Sequence, residues 1–183
     1  FLDADDVALP NRLQTQLLFL ESGVADICGG AYDALYQATG KRKTSKQRYS
    51  DVDIKALLTI YSPLCNPAIM GKAEVFKGHP YRYGKDSAED YSLWVDLALA
   101  NYRFANVREK LILYRIHADQ TTQTKTTITN TVFAKSRDEY LSGLGISSKL
   151  SPRPMQFNER IKSALQFMWE LNKKYSGISI GAN

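Results

Sequence analysis

Behind Pro10, Leu13, Leu17, Leu18 and Leu20 recur at mostly helical spacing, which predicts an amphipathic helix over 10–22 that Gly23 can end. Ahead of it, the apolar pair Phe1-Leu2 runs into Asp3, Asp5 and Asp6, as the end of a buried strand entering a loop would. Residues 24–38 alternate loosely and carry β-branched and aromatic side chains. They predict one strand near 25–29 and a second near 31–38, with Gly29-Gly30 as a bend or bulge between them. Residues 40–50 (GKRKTSKQRYS) are polar and basic and read as a surface loop.

Ser50 or Asp51 can cap a short helix over 52–60. Two prolines in 62–68 predict extended or turning chain. Residues 67–76 predict a short strand and a helical turn, then a loop with Gly78, Pro80 and Gly84. Over 88–101, Leu93, Trp94, Leu97, Ala98 and Leu99 give a helix face, with Glu89 and Asp90 at the N-terminus. Residues 103–107 and 110–115 read as two short strands, and 119–130 as a Thr-rich linker or mobile loop. Helices near 129–143 and 155–175 complete the chain, separated by Pro152 and Pro154. There are no internal repeats of useful length.

The 183 residues suffice for one compact domain, or one domain with a helical tail. A composition 44% hydrophobic and 23% charged excludes a disordered, collagen-like or disulfide-stapled chain. No stretch approaches 18 consecutive apolar residues, and no signal peptide or lipidation motif is visible. The net charge of +5 suits anionic partners or simple solubility. The basic run Lys41, Arg42, Lys43, Lys46, Arg48 reads first as a solvated loop, and otherwise as a contact for anionic lipid or a phosphate-linked acceptor. Basic and aromatic residues do not interleave, so nucleic acid is not an expected partner. Cys28 and Cys65 form neither a metal spacing nor a disulfide framework, which favours a reduced, cytoplasmic setting.

Three carboxylates within four residues repel one another unless a cation or strong donors lie nearby. Oxygen ligands on a loop suit Mg²⁺ or Mn²⁺, which in turn suit phosphates. A helix N-terminus enriched in Asp is the purely structural alternative. An EF-hand starting at Asp3 would need Gly and Glu where Ala8 and Gln14 stand, and is rejected. Asp3-Ala4-Asp5 fits two chemistries. One is a haloacid-dehalogenase-type phosphatase with Asp3 as nucleophile and Asp5 as acid/base. The other is a glycosyltransferase that holds a divalent metal against a nucleotide-sugar diphosphate. These residues alone do not choose.

Two later segments do. LDADD at 2–6, EDYSLWVDLA at 89–98 and LILYRIHADQTT at 111–122, in this order, resemble family 2 glycosyltransferases of bacterial surface-polysaccharide type, which have the GT-A fold. The stretch NPAIMGKAEVFKG at 66–78 is similar more loosely, with Gly71 and Lys72 where the family usually has arginine. The phosphatase reading lacks its second acidic segment.

The resemblance implies an α/β fold, the C-terminal part of a Rossmann-like GT-A domain with a mixed sheet, followed by C-terminal helices. It covers about residues 1–122, and 123–183 read as a helical extension. It implies metal binding by Asp3, Asp5 and His117, with Mn²⁺ or Mg²⁺ as cofactor. Asp3 and Asp6 would lie against the donor's ribose and sugar, and Arg115 against its diphosphate. Asp90 would be the general base, with Glu89 orienting it or holding an acceptor hydroxyl. Arg115 and His117 lie two apart and so face one way on extended chain. The implied reaction is inverting transfer from a nucleotide-diphospho-sugar, commonly a UDP-sugar, to a glycan or lipid-linked acceptor. Trp94 reads as core, or otherwise as an acceptor platform, and the segment 119–128 as a lid over the donor or as a plain linker. The family's first half has no counterpart here, and Phe1 is not a natural initiating residue. The chain is therefore expected to be a fragment, inactive alone or completed by forming a homodimer, with peripheral contact at the inner face of the membrane as a further expectation.

Overall fold

A computed structural model describes residues 1–81, 88–118, 120 and 126–146, with the backbone alone for 126–128. Its ordered elements are β1 (Val7–Ala8), α1 (Arg12–Glu21), β2 (Ile27–Tyr36), β3 (Arg42–Thr44), α2 (Asp51–Leu58), a 3₁₀ turn (Asn66–Ala68), β4 (Met70–Gly71), α3 (Ala73–Gly78), α4 (Glu89–Leu99), β5 (Phe104–Ile116) and α5 (Thr126–Gly143). The chain is α/β, built on one mixed sheet in the order β1-β5-β2-β3. β2 and β5 run parallel through its centre, while β1 is antiparallel to β5, and β3 and β4 are antiparallel to β2.

Alternation along the two central strands sends side chains to two packed faces. Ile27 and Phe104 face a layer made by α2 and α4, where Ile54, Leu58, Leu93, Trp94 and Leu97 are buried. Cys28, Val107 and Leu111 face the other way, toward Leu20 of α1 and Ala68 of the 3₁₀ turn. Trp94 is fully buried, so it belongs to the core and offers no platform to a ligand. α5 packs on α4 through a stacked Tyr91–Phe133 pair and a buried Ser92–Ser136 hydroxyl contact of 2.7 Å. Tyr91 also donates to the carbonyl of Leu58, and Tyr140 to that of Lys55, so α2, α4 and α5 are tied by buried hydroxyls.

Several predicted elements are corrected. The two strands expected over 25–38 are one strand, because the Gly29-Gly30 pair is absorbed as an irregularity in register with β5 rather than as a break. The two strands expected over 103–115 are likewise one, Phe104–Ile116. Segment 40–50 is not wholly loop: Arg42–Thr44 pairs with Asp33–Leu35 as an edge strand, its cations left in solvent. Phe1 and Leu2 form no strand and are 41% and 49% exposed. Gly78 ends α3 rather than lying in a loop, and α5 starts at Thr126, inside the expected linker. The helix expected over 155–175 lies outside the described residues.

α1 is where it was expected, but its faces are reversed. Leu13, Leu17 and Leu18 are 67%, 52% and 60% exposed, whereas Arg12 and Gln16 are buried beside Leu20. An i, i+4, i+8 stripe does face the interior, and two of its three members are polar.

Candidate active site

The acidic loop is pinned to the end of β5. The Arg115 amide donates to Asp6 Oδ1 at 2.9 Å, and His117 Nε2 lies 2.8 Å from Asp5 Oδ2. An ionised carboxylate only accepts, so this contact puts the ring proton on Nε2. The loop is closed by the Asp6 amide donating to the Asp3 carbonyl at 3.2 Å. Short β1 then pairs Val7 with Leu113, which fixes the loop's register against β5.

These bonds bring three carboxyl groups together, with one oxygen from each of Asp3, Asp5 and Asp6 within 4.8 Å of the others. Their electrostatics are divided. Asp5 is held below the usual carboxylate range, chiefly by its bond to His117. Asp3 is pushed up by burial, then by Asp5 and Glu89. Asp6 is pushed up to about 6, mainly by burial and against the pull of the Arg115 amide. Its Oδ2 is buried and accepts no hydrogen bond among the described residues. Two strained carboxyls and an oxygen without a donor form a hard-oxygen set that a divalent cation would relieve, so these residues fit Mg²⁺ or Mn²⁺.

The N-terminus of α4 faces the same space. Ala88 takes a left-handed backbone, φ 74°, immediately before Glu89, and this turns the chain into the helix. Glu89 is exposed; Asp90 is half-buried and accepts from the Tyr91 amide at 2.7 Å. Burial pushes the Asp90 carboxyl up, with Glu89 and Asp3 adding to the rise. Asp3 feels Glu89 and Asp90 feels Asp3, which joins the second acidic pair to the first. Tyr81, donating to Asn66 Oδ1 at 3.0 Å, feels Asp90, Glu89 and Asp3 together. The Cys65 thiol is raised by burial and by Asp6, Asp3 and Asp90. Cys65 and Tyr81 thus feel both acidic groups, and neither was singled out from the sequence as a site residue.

The candidate site residues thus form two groups, Asp3, Asp5, Asp6, Arg115 and His117 at the end of β5 and Glu89 and Asp90 in the first turn of α4. Arg115 meets the acidic loop through its backbone amide, and its side chain is exposed. His79 stays outside, with its ring edge-on to Tyr102. Of the expected lid, 119 and 121–125 lie outside the described residues; Gln120 donates to the Arg115 carbonyl at 2.6 Å. No helix among the described residues is long and apolar enough to cross a membrane.

Sequence comparison gives this geometry a context. The chain is 27% identical over 164 residues to an uncharacterized glycosyltransferase of Haemophilus influenzae, covering 81% of this chain and 50% of that protein. It is 28% identical over 122 residues to an O-antigen biosynthesis glycosyltransferase of Escherichia coli, covering 66% of this chain and 48% of the relative. An amylovoran biosynthesis glycosyltransferase of Erwinia amylovora is 25% identical over 119 residues, 64% of this chain and 44% of the relative. The chain is similar to glycosyltransferases. It spans about half the length of the curated relatives it matches. No protein-family model matches it.

Proposed function

We propose that this chain is the metal- and base-bearing portion of an inverting GT-A glycosyltransferase of family 2, acting in bacterial surface-polysaccharide synthesis. In this reading 1–122 belong to the catalytic domain and 123–183 extend it. The donor is a nucleotide-diphospho-sugar, with UDP-sugars first in line, and the acceptor a glycan or lipid-linked sugar presented at the inner face of the membrane. The observation that carries the proposal is the convergence of three segments far apart in sequence: Asp5 on His117, Asp6 on the Arg115 amide, and Asp3 coupled to Glu89 and Asp90. The O-antigen and amylovoran relatives supply the biological setting.

Each residue then has a task. Asp90 accepts the proton of the acceptor hydroxyl as its oxygen attacks the anomeric carbon; burial, which raises this carboxyl, makes it a stronger base. Glu89, beside it and exposed, orients that hydroxyl. As the new C–O bond forms, the bond to the diphosphate breaks on the opposite face, and a single displacement inverts the carbon. Asp3, Asp5 and Asp6 would hold Mn²⁺ or Mg²⁺, with His117 orienting Asp5; when bound, the ion would neutralise charge on the departing diphosphate. The exposed Arg115 guanidinium would reach the diphosphate in a fork.

The test is a thermal melt of this chain with UDP, with Mn²⁺, and with both. A midpoint that rises by several degrees only with both supports a joint metal–diphosphate site. A cooperative melt unmoved by the pair, together with full transfer after Asp90→Asn, would overturn the reading.

A further inference from the structure

α1 buries an arginine and a glutamine where an amphipathic helix would bury leucines, and this exchange has a geometric purpose. Arg12 is 3% exposed and Gln16 fully buried. Arg12 Nε donates to Gln16 Oε1 at 3.1 Å, one turn along the helix. Its Nη2 donates to the carbonyl of Phe1 and, at 3.5 Å, to that of Ile69. Gln16 Nε2 donates to the carbonyls of Cys28 at 2.8 Å and Ala68 at 2.9 Å. Four backbone carbonyls from four segments are thereby tied to one face of one helix. The segments are the chain entering the acidic loop, the start of β2, the 3₁₀ turn and the residue before β4.

Two of these segments carry the candidate site. The Phe1 carbonyl lies two residues before Asp3, and the 3₁₀ turn presents Asn66, the partner of Tyr81. The 3₁₀ turn begins next to Cys65, whose thiol feels Asp6, Asp3 and Asp90. A buried guanidinium is costly to desolvate, and replacing such polar networks by hydrophobic residues is often neutral or stabilising. A network retained at that cost, on a helix whose leucines point into solvent, is a break in local pattern of the kind found at functional sites.

The geometry points to Arg12 as a positioning residue: with Gln16 it clamps the acidic loop against the 3₁₀ turn and so sets where Asp3, Asp5 and Asp6 stand. Arg12 touches no reacting atom in this scheme. It acts through the backbone that carries the carboxylates, and its charge also bears on Asp6. The acidic loop is thus held at both ends, by the clamp on Phe1 before it and by β1 on β5 after it. The clamp itself is a geometric claim; its consequence for cation binding rests on the proposed metal site.

The experiment separates the two. Amide hydrogen exchange on the whole chain compares wild type with Arg12→Met, reading the Arg115 amide, which is protected by Asp6 Oδ1, against the amides of Leu93–Leu97 in α4. The expected result is a loss of Arg115 protection of tenfold or more with the α4 amides within twofold of wild type. Unchanged Arg115 protection overturns the proposal, and so does equal loss at both places, which would make Arg12 an ordinary stabilising residue. Should Arg12→Met not fold, Arg12→Lys answers the same question, since a single ammonium cannot reproduce the fork to Gln16 and two carbonyls. A drop of Arg115 protection there supports the clamp, and wild-type protection overturns it. Mn²⁺ titration of the same proteins, followed by the electron paramagnetic resonance of the free ion, reads the consequence. Weakening of tenfold or more in the variant extends the clamp to the metal site. A wild type that binds no Mn²⁺ overturns the metal reading and leaves the exchange result to judge the clamp.

Discussion

His117 Nε2 and Asp5 Oδ2 meet at 2.8 Å across 112 residues of sequence, and this bond is the largest cause of the low Asp5 carboxyl. It joins the strand end of one segment to the acidic loop of another. His117→Ala is expected to raise the Asp5 value toward that of a free carboxyl and to weaken Mn²⁺ binding about tenfold, the cost of a charge-assisted bond of roughly 1.5 kcal/mol. Carbon-detected titration of the Asp5 carboxyl checks the first effect. An unchanged titration curve would mean that the imidazole does not hold Asp5 in solution.

The acidic site makes stability depend on pH in an unusual direction. The folded-state value of Asp6, about 6, exceeds the ordinary 3.8, so folding favours the neutral carboxyl. Its contribution is fully present below pH 4 and is lost as pH rises through 6. For a side chain only 9% exposed the loss is up to roughly 3 kcal/mol. Asp3 and Asp90, also raised, act in the same sense. Asp5, Asp26 and Asp33 are lowered by their partners, and their stabilisation is lost only as pH falls below about 4. The metal-free chain should therefore melt at a higher temperature near pH 5 than at pH 7.5. Asp6→Asn should flatten that decline, as followed by calorimetry across the range.

Asp90→Asn removes the proposed base and leaves a side chain of the same shape. Transfer is expected to fall by a factor of about 10² to 10⁴. The melting temperature should hold or rise, since a half-buried carboxyl that Glu89 and Asp3 repel is replaced by a neutral group. Initial-rate measurements beside a thermal melt read both. A rate loss accompanied by unfolding would point to a structural role instead.

Gly30 tests the sheet itself. A Cβ there would stand 2.5 Å from Leu111 Cδ1 and 2.9 Å from Val107 Cγ2. Gly30→Ala is therefore expected to destabilise the chain by about 1–3 kcal/mol. Because the register between β2 and β5 shifts at this point, the strand ends that carry Arg115 and His117 should lose order as well. Urea unfolding gives the first quantity, and amide exchange at Arg115 the second.

Local pattern was sufficient for elements whose apolar residues pack where their spacing sends them. α4 is such a case: Leu93, Trp94, Leu97 and Ala98 are all buried, and the acidic pair stands in its first turn. α2 begins at the Ser50 cap, whose hydroxyl accepts from the Asp53 amide at 3.1 Å. The sequence also named Asp3, Asp5 and Asp6 as a cluster of carboxylates, while Glu89, Asp90, Arg115 and His117 came from the resemblance of their segments to a known family. Three things needed the tertiary structure. Strand continuity through Gly29-Gly30 depends on the parallel partner β5, whose hydrogen bonds hold a glycine pair extended that would otherwise turn. The edge strand at Arg42–Thr44 exists because β2 offers it a ladder, and its own residues would as readily stay in solvent. The inward face of α1 was decided by four backbone carbonyls that required donors. No count of leucines along the helix reveals that demand, and it places Arg12 and Gln16 in the interior because unpaired buried carbonyls cost more than exposed leucines.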